Sequence, residues 1–534
     1  MMGRQETLAT YLVTAEEMQR IEKRLFDAGM PVAALMEKVS ERLVGWVCGH
    51  FERLLSEDGG KLRPSQYRVG VLAGPGHNGG DALVIARELH HLGFDVCVYQ
   101  PFDRCKPLTQ QHTNYAKHLG ISFVDAAKQL GNCDAIVDGW FGFGLTRPVE
   151  GALAKAIEAI NQLEVPVFSV DLPSGIHTDT GQVMGVAIEA TCTACLGIWK
   201  RGFMQERTLT YFGECELIDF DIPLADIEAV LGEMPAVQRL TEAEMLAALP
   251  LDRSVTAHKY KAGQLLVIAG SRQYAGAALL TGLGAIASGV GMLTLAVPES
   301  IRLALLPQLP GALLVGCAET EEGAIASLPE TLDLAKYDAI AFGPGLTATV
   351  PTLLAQLLNT DCPLLLDADG LNLLTQTDVV QSLQNRTAQT ILTPHLGEFK
   401  RLFPDIYASQ SEQALPGELA AQAAKASRAI VLLKGPRSAI ANGQTLWFNP
   451  ESTPALARGG SGDVLTGLMG GLVAAASKES QDVCSAVLSA VWWHSQAALY
   501  ASRQRTLLGV DPLQLAHSLN PSLSEILSPK KALH

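Results

Sequence analysis

Two doubly wound α/β domains in tandem, each a mostly parallel sheet between helical layers, are what this 534-residue sequence predicts. Three observations carry that reading. The chain is too long for a single hydrophobic core, which stops growing at roughly 250–300 residues. Short apolar runs alternate with helical patterns along both halves. Nearly every run exits into glycine or aspartate, the chemistry of a strand end turning toward a helix. Hydrophobic residues make up 48% of the chain and charged residues 18%, which describes buried globular cores rather than a disordered or fibrous chain.

Residues 14 to 55 carry Met18, Ile21 and Leu25, then Ala33, Leu35, Met36, Val39, Leu43, Val44 and Val47, broken at Gly29-Met30-Pro31. That spacing predicts two helices. A buried strand at Arg68 to Ala73 runs into Gly74-Pro75-Gly76-His77-Asn78-Gly79-Gly80-Asp81, and the helical pattern of 82–92 follows. Gly74, Gly76 and Gly79 match G-x-G-x-x-G, so a dinucleotide-binding loop must be weighed. Such a fingerprint wants an acid after the next strand to hold the ribose, whereas Val96 to Tyr99 ends in Gln100.

Strands at 135–137 and 167–170 lead into Asp138 and Asp171-Leu172-Pro173-Ser174. Ligands of open α/β sheets sit at that carboxyl edge. Asn78, Asp138 and Ser174 thereby form an oxygen-rich set suited to a hard cation, although turn and capping roles explain the same residues. Cys192 and Cys195 form a CxxC inside a buried strand pattern, with no second Cys or His pair nearby in sequence, which argues against a metal or redox site.

Pro223, Pro235 and Pro250 lie among short amphipathic pieces, which sets the expected boundaries at 1–225, a linker over 226–245, and 246–534. Beyond them the strands 264–269, 292–297, 339–342, 364–366, 390–392 and 430–433 again end in rim loops. The uncharged stretch Ala275 to Val297 is long enough to cross a bilayer, yet its glycines, Ser and Thr and the break at Gly289-Val290-Gly291 read as a small-residue helix followed by a strand.

The last rim loop, Gly459-Gly460-Ser461-Gly462-Asp463, opens a long apolar helix. The free amides of a helix's first turn and its dipole make an anion site. A carboxylate placed there is repelled by a phosphate unless it takes a proton from the attacking or leaving group, so Asp463 is a candidate general base. The plainer reading is a helix N-cap.

A formal charge of −15 argues against a nucleic-acid surface or a polybasic membrane patch. Anionic ligands must then be held by local amides and single basic residues. The polar N-terminus shows no signal pattern, and the ten cysteines have no disulfide-framework spacing, so a cytoplasmic chain is expected.

The segments GPGHNGGD (74–81), DGWFGFGLTRP (138–148) and SVDLPSG (169–175) resemble the NAD(P)H-hydrate epimerase family over roughly residues 10 to 220. That resemblance implies a Rossmann-like fold and interconversion of the two C6 epimers of hydrated NADH and NADPH. It implies a potassium ion at Asn78, Asp138 and Ser174. It also implies substrate contacts from His77, Asn78, Gly79, Gly80 and Asp81, from Gly142, Phe143, Gly144, Leu145, Thr146, Arg147 and Pro148, and from Asp171, the candidate proton carrier. Departures are His77 where Asn is usual, Ala82 where Gly is usual, and Gly139-Trp140 where Ala-Leu is common.

In the second half, GSRQYAGAA, GPGL, DADGLN, TPHLGEF, VLLKG and GGSGDVLTG resemble the ADP- or ATP-dependent NAD(P)H-hydrate dehydratases of the ribokinase-like superfamily, over nearly all of 246 to 525. This implies hydrate contacts from Ala277, Gly345, His395 and Asp463. Nucleotide contacts are implied from Lys434, Gly435, Pro436, Arg437 and Ser438 and from Gly462, with Mg²⁺ on the phosphates. Tyr260 stands where the first glycine of HKGxxG is usual, and Arg458 where Thr is common. The expected partners are small molecules and further copies of the chain. Two alternatives stay open, a ribokinase-like kinase acting on a vitamin or sugar hydroxyl and an N-terminal half that only binds nucleotide.

Overall fold

The structure, a computed structural model, describes residues 3–55, 63–253, 255, 258–347, 351–409 and 414–528. The chain divides into two compact units, Met1–Pro235 and Ala236–His534.

Unit 1 is built on seven strands, β1 (Arg68–Ala73), β2 (Asp95–Tyr99), β3 (Ser122–Val124), β4 (Ala135–Gly139), β5 (Val167–Val170), β6 (Cys192–Leu196) and β7 (Glu214–Ile218). They lie in the order 3-2-1-4-5-6-7, every neighbouring pair parallel. In β1, β4 and β5 almost every residue is buried, as expected for strands covered on both faces, so they read as apolar runs without alternation. The order reverses between β1 and β4, where the exit loops diverge and leave a crevice.

Helices α1 (Ala15–Asp27) and α2 (Val32–Leu55) meet the predicted spacing. At the head of α1 the Thr14 hydroxyl accepts from the Glu17 amide at 3.1 Å, and the Glu17 carboxylate accepts from the Thr14 amide at 2.7 Å. That reciprocal cap fixes where the helix starts. Helix α3 (His77–His91) begins at His77 rather than near 82, so Asn78, Gly79, Gly80 and Asp81 are helical and not a loop. Packing explains the difference. A Cβ on Gly79 would collide with the Gly74 carbonyl, and one on Gly80 would press on Met36. The two glycines let α3 lie against β1's exit and against α2.

Unit 2 carries β8 (Val237–Arg239), β9 (Gln264–Ile268), β10 (Met292–Pro298), β11 (Leu313–Glu319), β12 (Ile325–Ser327), β13 (Ala339–Phe342), β14 (Leu364–Leu366), β15 (Thr390–Leu392), β16 (Ile430–Leu433), β17 (Ala439–Ala441) and β18 (Leu446–Phe448). The sheet order is 8-18-17-16-15-14-13-9-10-11-12. From β16 to β11 it is wholly parallel, whereas β17 and β12 pair antiparallel to their neighbours. Residues 226–245, expected as a linker, carry structure on both sides of the division. Helix α4 (Leu224–Leu231) packs on α1 through buried Ile227 and an Asp226 to Arg24 ion pair of 2.9 Å, while β8 pairs with β18.

Helices α5 (Ala275–Ala287) and α7 (Ser461–Lys478) cross at backbone distance. A Cβ on Gly467 would strike the Thr281 carbonyl, and one on Gly284 would strike that of Val464. The small-residue composition that imitates a membrane span is therefore the imprint of this crossing. Among the described residues no helix is long and apolar enough to cross a membrane.

Candidate functional sites

In unit 1 the carboxyl edge of the sheet, together with α1 and α2, encloses a cavity of about 680 Å³. His77, Asn78, Asp81, the run Gly142 to Arg147, and Asp171, expected as substrate contacts, line it. Gly79, Gly80 and Pro148 do not, the two glycines because they are spent on the packing of α3.

Asp171 follows β5 with φ of 69°, a left-handed conformation that a side chain adopts only when its surroundings enforce it. Its carboxylate accepts from the Phe143 amide at 2.9 Å and is ion-paired to Lys200, which is fully buried and also donates to the Leu196 carbonyl at 2.6 Å. Burial works against the Lys200 charge, but Asp171 outweighs it and holds the ammonium above its usual range. Gly142 lies between Asn78 and Asp171, since a Cβ there would come within 2.9 Å of an Asp171 oxygen and 3.4 Å of the Asn78 amide oxygen.

Asp138 and Ser174 lie beneath this floor, both fully buried. The Asp138 carboxylate accepts from the Ser174 hydroxyl (2.6 Å) and amide (2.8 Å), the Ser169 hydroxyl (2.9 Å) and the Trp140 amide (3.2 Å). Burial pushes its pKa up, and these bonds recover only part of the shift. It has no ion pair among the described residues. A buried carboxylate without a basic partner, bonded to the Ser174 and Ser169 hydroxyls, fits a monovalent cation in charge and in donor chemistry.

Three residues of this cavity escape motif reading, namely Glu22, Lys106 and Lys200. Glu22 sits on α1 between Met18 and Phe26, one turn away on either side, and all three line the cavity. A carboxylate inside an apolar stripe is the signal that could have found it.

The CxxC shows one unforeseen neighbourhood. Cys192 lies with His50 and Glu214 such that one ligand atom from each falls within 4.8 Å of the others. Arg53 already occupies the Glu214 carboxylate at 2.6 Å, so the group is satisfied without a metal.

In unit 2 the rim is drawn together by Asp367, which follows β14. Its buried carboxylate accepts from Lys434 (2.7 Å), from the Thr393 hydroxyl (2.8 Å) and, across to α7, from the Thr466 hydroxyl (2.8 Å). Lys434 is thus turned inward. Burial opposes its charge, but Asp367 and Glu398 prevail and hold it above the ordinary lysine range. Residues 435–438 form the hairpin between β16 and β17, closed by a Ser438 hydroxyl bond to the Gly435 carbonyl at 3.0 Å.

Asp463 is the third residue of α7, not its cap. The N-cap is Gly460, whose φ of 99° suits glycine, and no side chain caps the helix. The amides of Gly462 and Asp463 have no protein acceptor among the described residues. Burial first, then the neighbouring Asp367 charge, pushes the Asp463 carboxyl up to about 7, with Lys434 offsetting part. Behind the loop, buried His494 on α8 (Val483–Gln504) bonds through Nε2 to the Ser461 carbonyl at 3.0 Å. A carbonyl only accepts, so Nε2 carries the proton.

Ala277, in the first turn of α5, meets the loop after β13, where a Cβ on Gly345 would lie 2.7 Å from that of Ala277. His395 caps helix α6 (Leu396–Leu402), its Nδ1 accepting from the Gly397 amide at 2.9 Å, while its Nε2 is left 3.6 Å from Glu398. Its register opposite Lys434 ties it to the same rim.

Two family models match the chain. One, described as YjeF-related protein N-terminus, covers residues 32–202, and the other, NAD(P)H-hydrate dehydratase, covers 265–521. The chain is 51% identical over 525 residues to a bifunctional NAD(P)H-hydrate repair enzyme of Synechocystis sp., covering 98% of this chain and 96% of the relative. It is 50% identical over 521 residues to the protein of the same description from Thermosynechococcus vestitus, covering 97% and 98%. A solved structure of the ADP/ATP-dependent NAD(P)H-hydrate dehydratase of Bacillus subtilis, crystallised with ATP and Mg²⁺, aligns with TM-score 0.46 at 33% identity over 54% of this chain and 98% of that one.

Proposed function

The chain belongs to the bifunctional NAD(P)H-hydrate repair enzymes, and from that premise we propose how its residues divide the work. Unit 1 interconverts the R and S C6 hydrates of NADH and NADPH in its cavity, and unit 2 uses ADP or ATP to dehydrate the S hydrate.

The observation that carries the second assignment is Asp463, a carboxyl poised near neutrality in the first turn of α7 beside two free amides. A base with that pKa can take a proton at neutral pH and return it without a large penalty. Asp463 takes the proton of the C6 hydroxyl as that oxygen attacks the terminal phosphoryl group. The amides of Gly462 and Asp463 hold the charge that develops on the phosphoryl oxygens. Loss of phosphate from C6, with a proton released from C5 to solvent, then restores the ring double bond. The inward Lys434 with Asp367 sets the potential around Asp463 rather than gripping the nucleotide, which is left to Gly435, Pro436, Arg437, Ser438 and Gly462. Ala277, Gly345 and His395 seat the nicotinamide ring. Asp369, a carboxylate with no ion pair among the described residues, is the oxygen donor suited to a hydrated Mg²⁺, which when bound would neutralise phosphate charge.

In unit 1, Asp171 and Lys200 face the hydrated ring, and His77, Asn78 and Asp81 at the head of α3 with the loop at 142–147 position it. Potassium, when bound by Asn78, Asp138 and Ser174, would supply the positive charge that the buried carboxylate lacks. A cytoplasmic setting and self-association belong to the same reading.

The test is incubation of mixed hydrate epimers with ADP or ATP, following return of reduced-nicotinamide absorbance. Asp463→Asn should slow this by roughly 10²- to 10⁴-fold while epimerisation and nucleotide binding persist. Dehydration within a few-fold of wild type would remove Asp463 as the base.

A further inference from the structure

Inverting C6 requires the hydroxyl to leave one face of the ring and water to arrive on the other. One carboxyl reaches one face, so two proton carriers on different walls are needed. Asp171 supplies one from the sheet rim. We propose that Glu22, on the α1 wall of the same cavity, is the second proton carrier of the epimerisation. This rests on the assignment of epimerisation to unit 1.

Glu22 lines the cavity with Met18 and Phe26 from its own helix, with Lys106, with Asp81 from α3, and with Asp171 and Lys200 from the rim. Among the charged groups facing it, Asp171 disfavours its ionised form, whereas Lys200 and Lys106 favour it, and Glu22 in turn raises Asp81. Burial first, then the Asp171 charge, carries its carboxyl to about 7, with the two lysines offsetting part. Asp81 is buried on α3, and burial with the charges of Asp171 and Glu22 raises it well above its ordinary range. Asp171 is already held by Lys200 and the Phe143 amide. Glu22 is the carboxyl that α1 brings to this cavity.

The step balances as follows. Glu22 gives its proton to the C6 hydroxyl oxygen, the C6–O bond breaks with its electron pair staying on oxygen, and water leaves. The N1 lone pair forms the C6=N1 double bond of an iminium. A water on the other face adds to C6, the double bond's electrons return to N1, and the water's surplus proton passes to Asp171. In the reverse direction the two carboxyls exchange roles, and between turnovers Glu22 recovers its proton from solvent.

The experiment uses the full-length chain with the pure R hydrate and coupled dehydration in the same tube, and the pure S hydrate as an internal control. Glu22→Gln should lower epimerisation by roughly 10²-fold or more, leave dehydration of the S hydrate unchanged, and abolish the ionisation near 7 in the kcat/KM profile of epimerisation. Glu22→Asp, a shorter acid, should restore part of the rate together with an ionising limb. Epimerisation by Glu22→Gln within a few-fold of wild type, with the same profile, overturns the proposal. If that variant does not fold, the wild-type profile still decides, because a flat kcat/KM between about pH 6 and 8 is incompatible with a carrier ionising near 7. A wild-type chain that dehydrates the S hydrate but never converts the R hydrate instead overturns the assignment of unit 1.

Discussion

His494 and Asp463 stand on either side of the same loop and respond to pH with opposite sign. Burial pushes the His494 ring down to about 4, so between about 6.5 and 4 the unfolded chain binds a proton that the folded chain refuses. The stability contributed by the neutral ring is complete above about 6.5 and is lost as pH falls through 4, reaching roughly 3 kcal/mol. Urea unfolding at stepped pH should show the unit 2 transition weakening across that window, and His494→Gln should flatten it. Asp463 is pushed up to about 7, so the folded chain holds a proton that the unfolded chain has released. Its stability contribution is present below about 4 and lost as pH rises through 7. Asp463→Asn should therefore melt no lower than wild type above pH 7, and modestly higher, even as dehydration collapses. Thermal melting at two pH values checks this. Asp463 and Asp171 were legible because a motif announces them. Glu22, Lys200 and His494 were not, because each is defined by partners from distant segments, and periodicity says which face of a helix is buried without saying what it meets.

Elements were read most faithfully where strands are buried on both faces. β5, β13, β14, β15 and β16 fall on their predicted residues because an apolar run bounded by Gly or Asp has few other readings. The start of α3 was misread, since glycine next to glycine reads as a turn when nothing shows a second backbone pressing on it. The same logic makes the α5 to α7 crossing testable. Gly467→Ala must force the helices apart at the Thr281 carbonyl, an overpacking that typically costs about 1–3 kcal/mol. Because α5 carries Ala277 and α7 carries Asp463, the variant should lose dehydration more than nucleotide binding, with epimerisation untouched. Parallel assays of both reactions beside a melting curve measure this.

At the scale of the whole molecule, composition and length announced two domains, and the division after Pro235 falls inside the stretch expected as a linker, which carries α4 and β8. Short elements next to prolines resemble a linker until their partners are known, and those of α4 and β8 lie far away in sequence. Fragments 1–235 and 236–534 should each unfold cooperatively. A fragment ending at 225 loses the Asp226 and Ile227 contacts of α4, and one beginning at 246 strips β8 from β18, so both should melt earlier or aggregate. Circular dichroism melts of the four fragments check this. The β8 pairing also bears on how the chain is born. Gln238 meets Trp447, 209 positions further on, and in unit 1 the strand Leu12–Val13 waits in the same way for Trp199–Lys200. On the ribosome each unit thus makes, near its start, a strand that has nothing to pair with until most of that unit has emerged. Unit 1 can close while unit 2 is still being synthesised, and the edge of unit 2 stays open until its last hairpin is made.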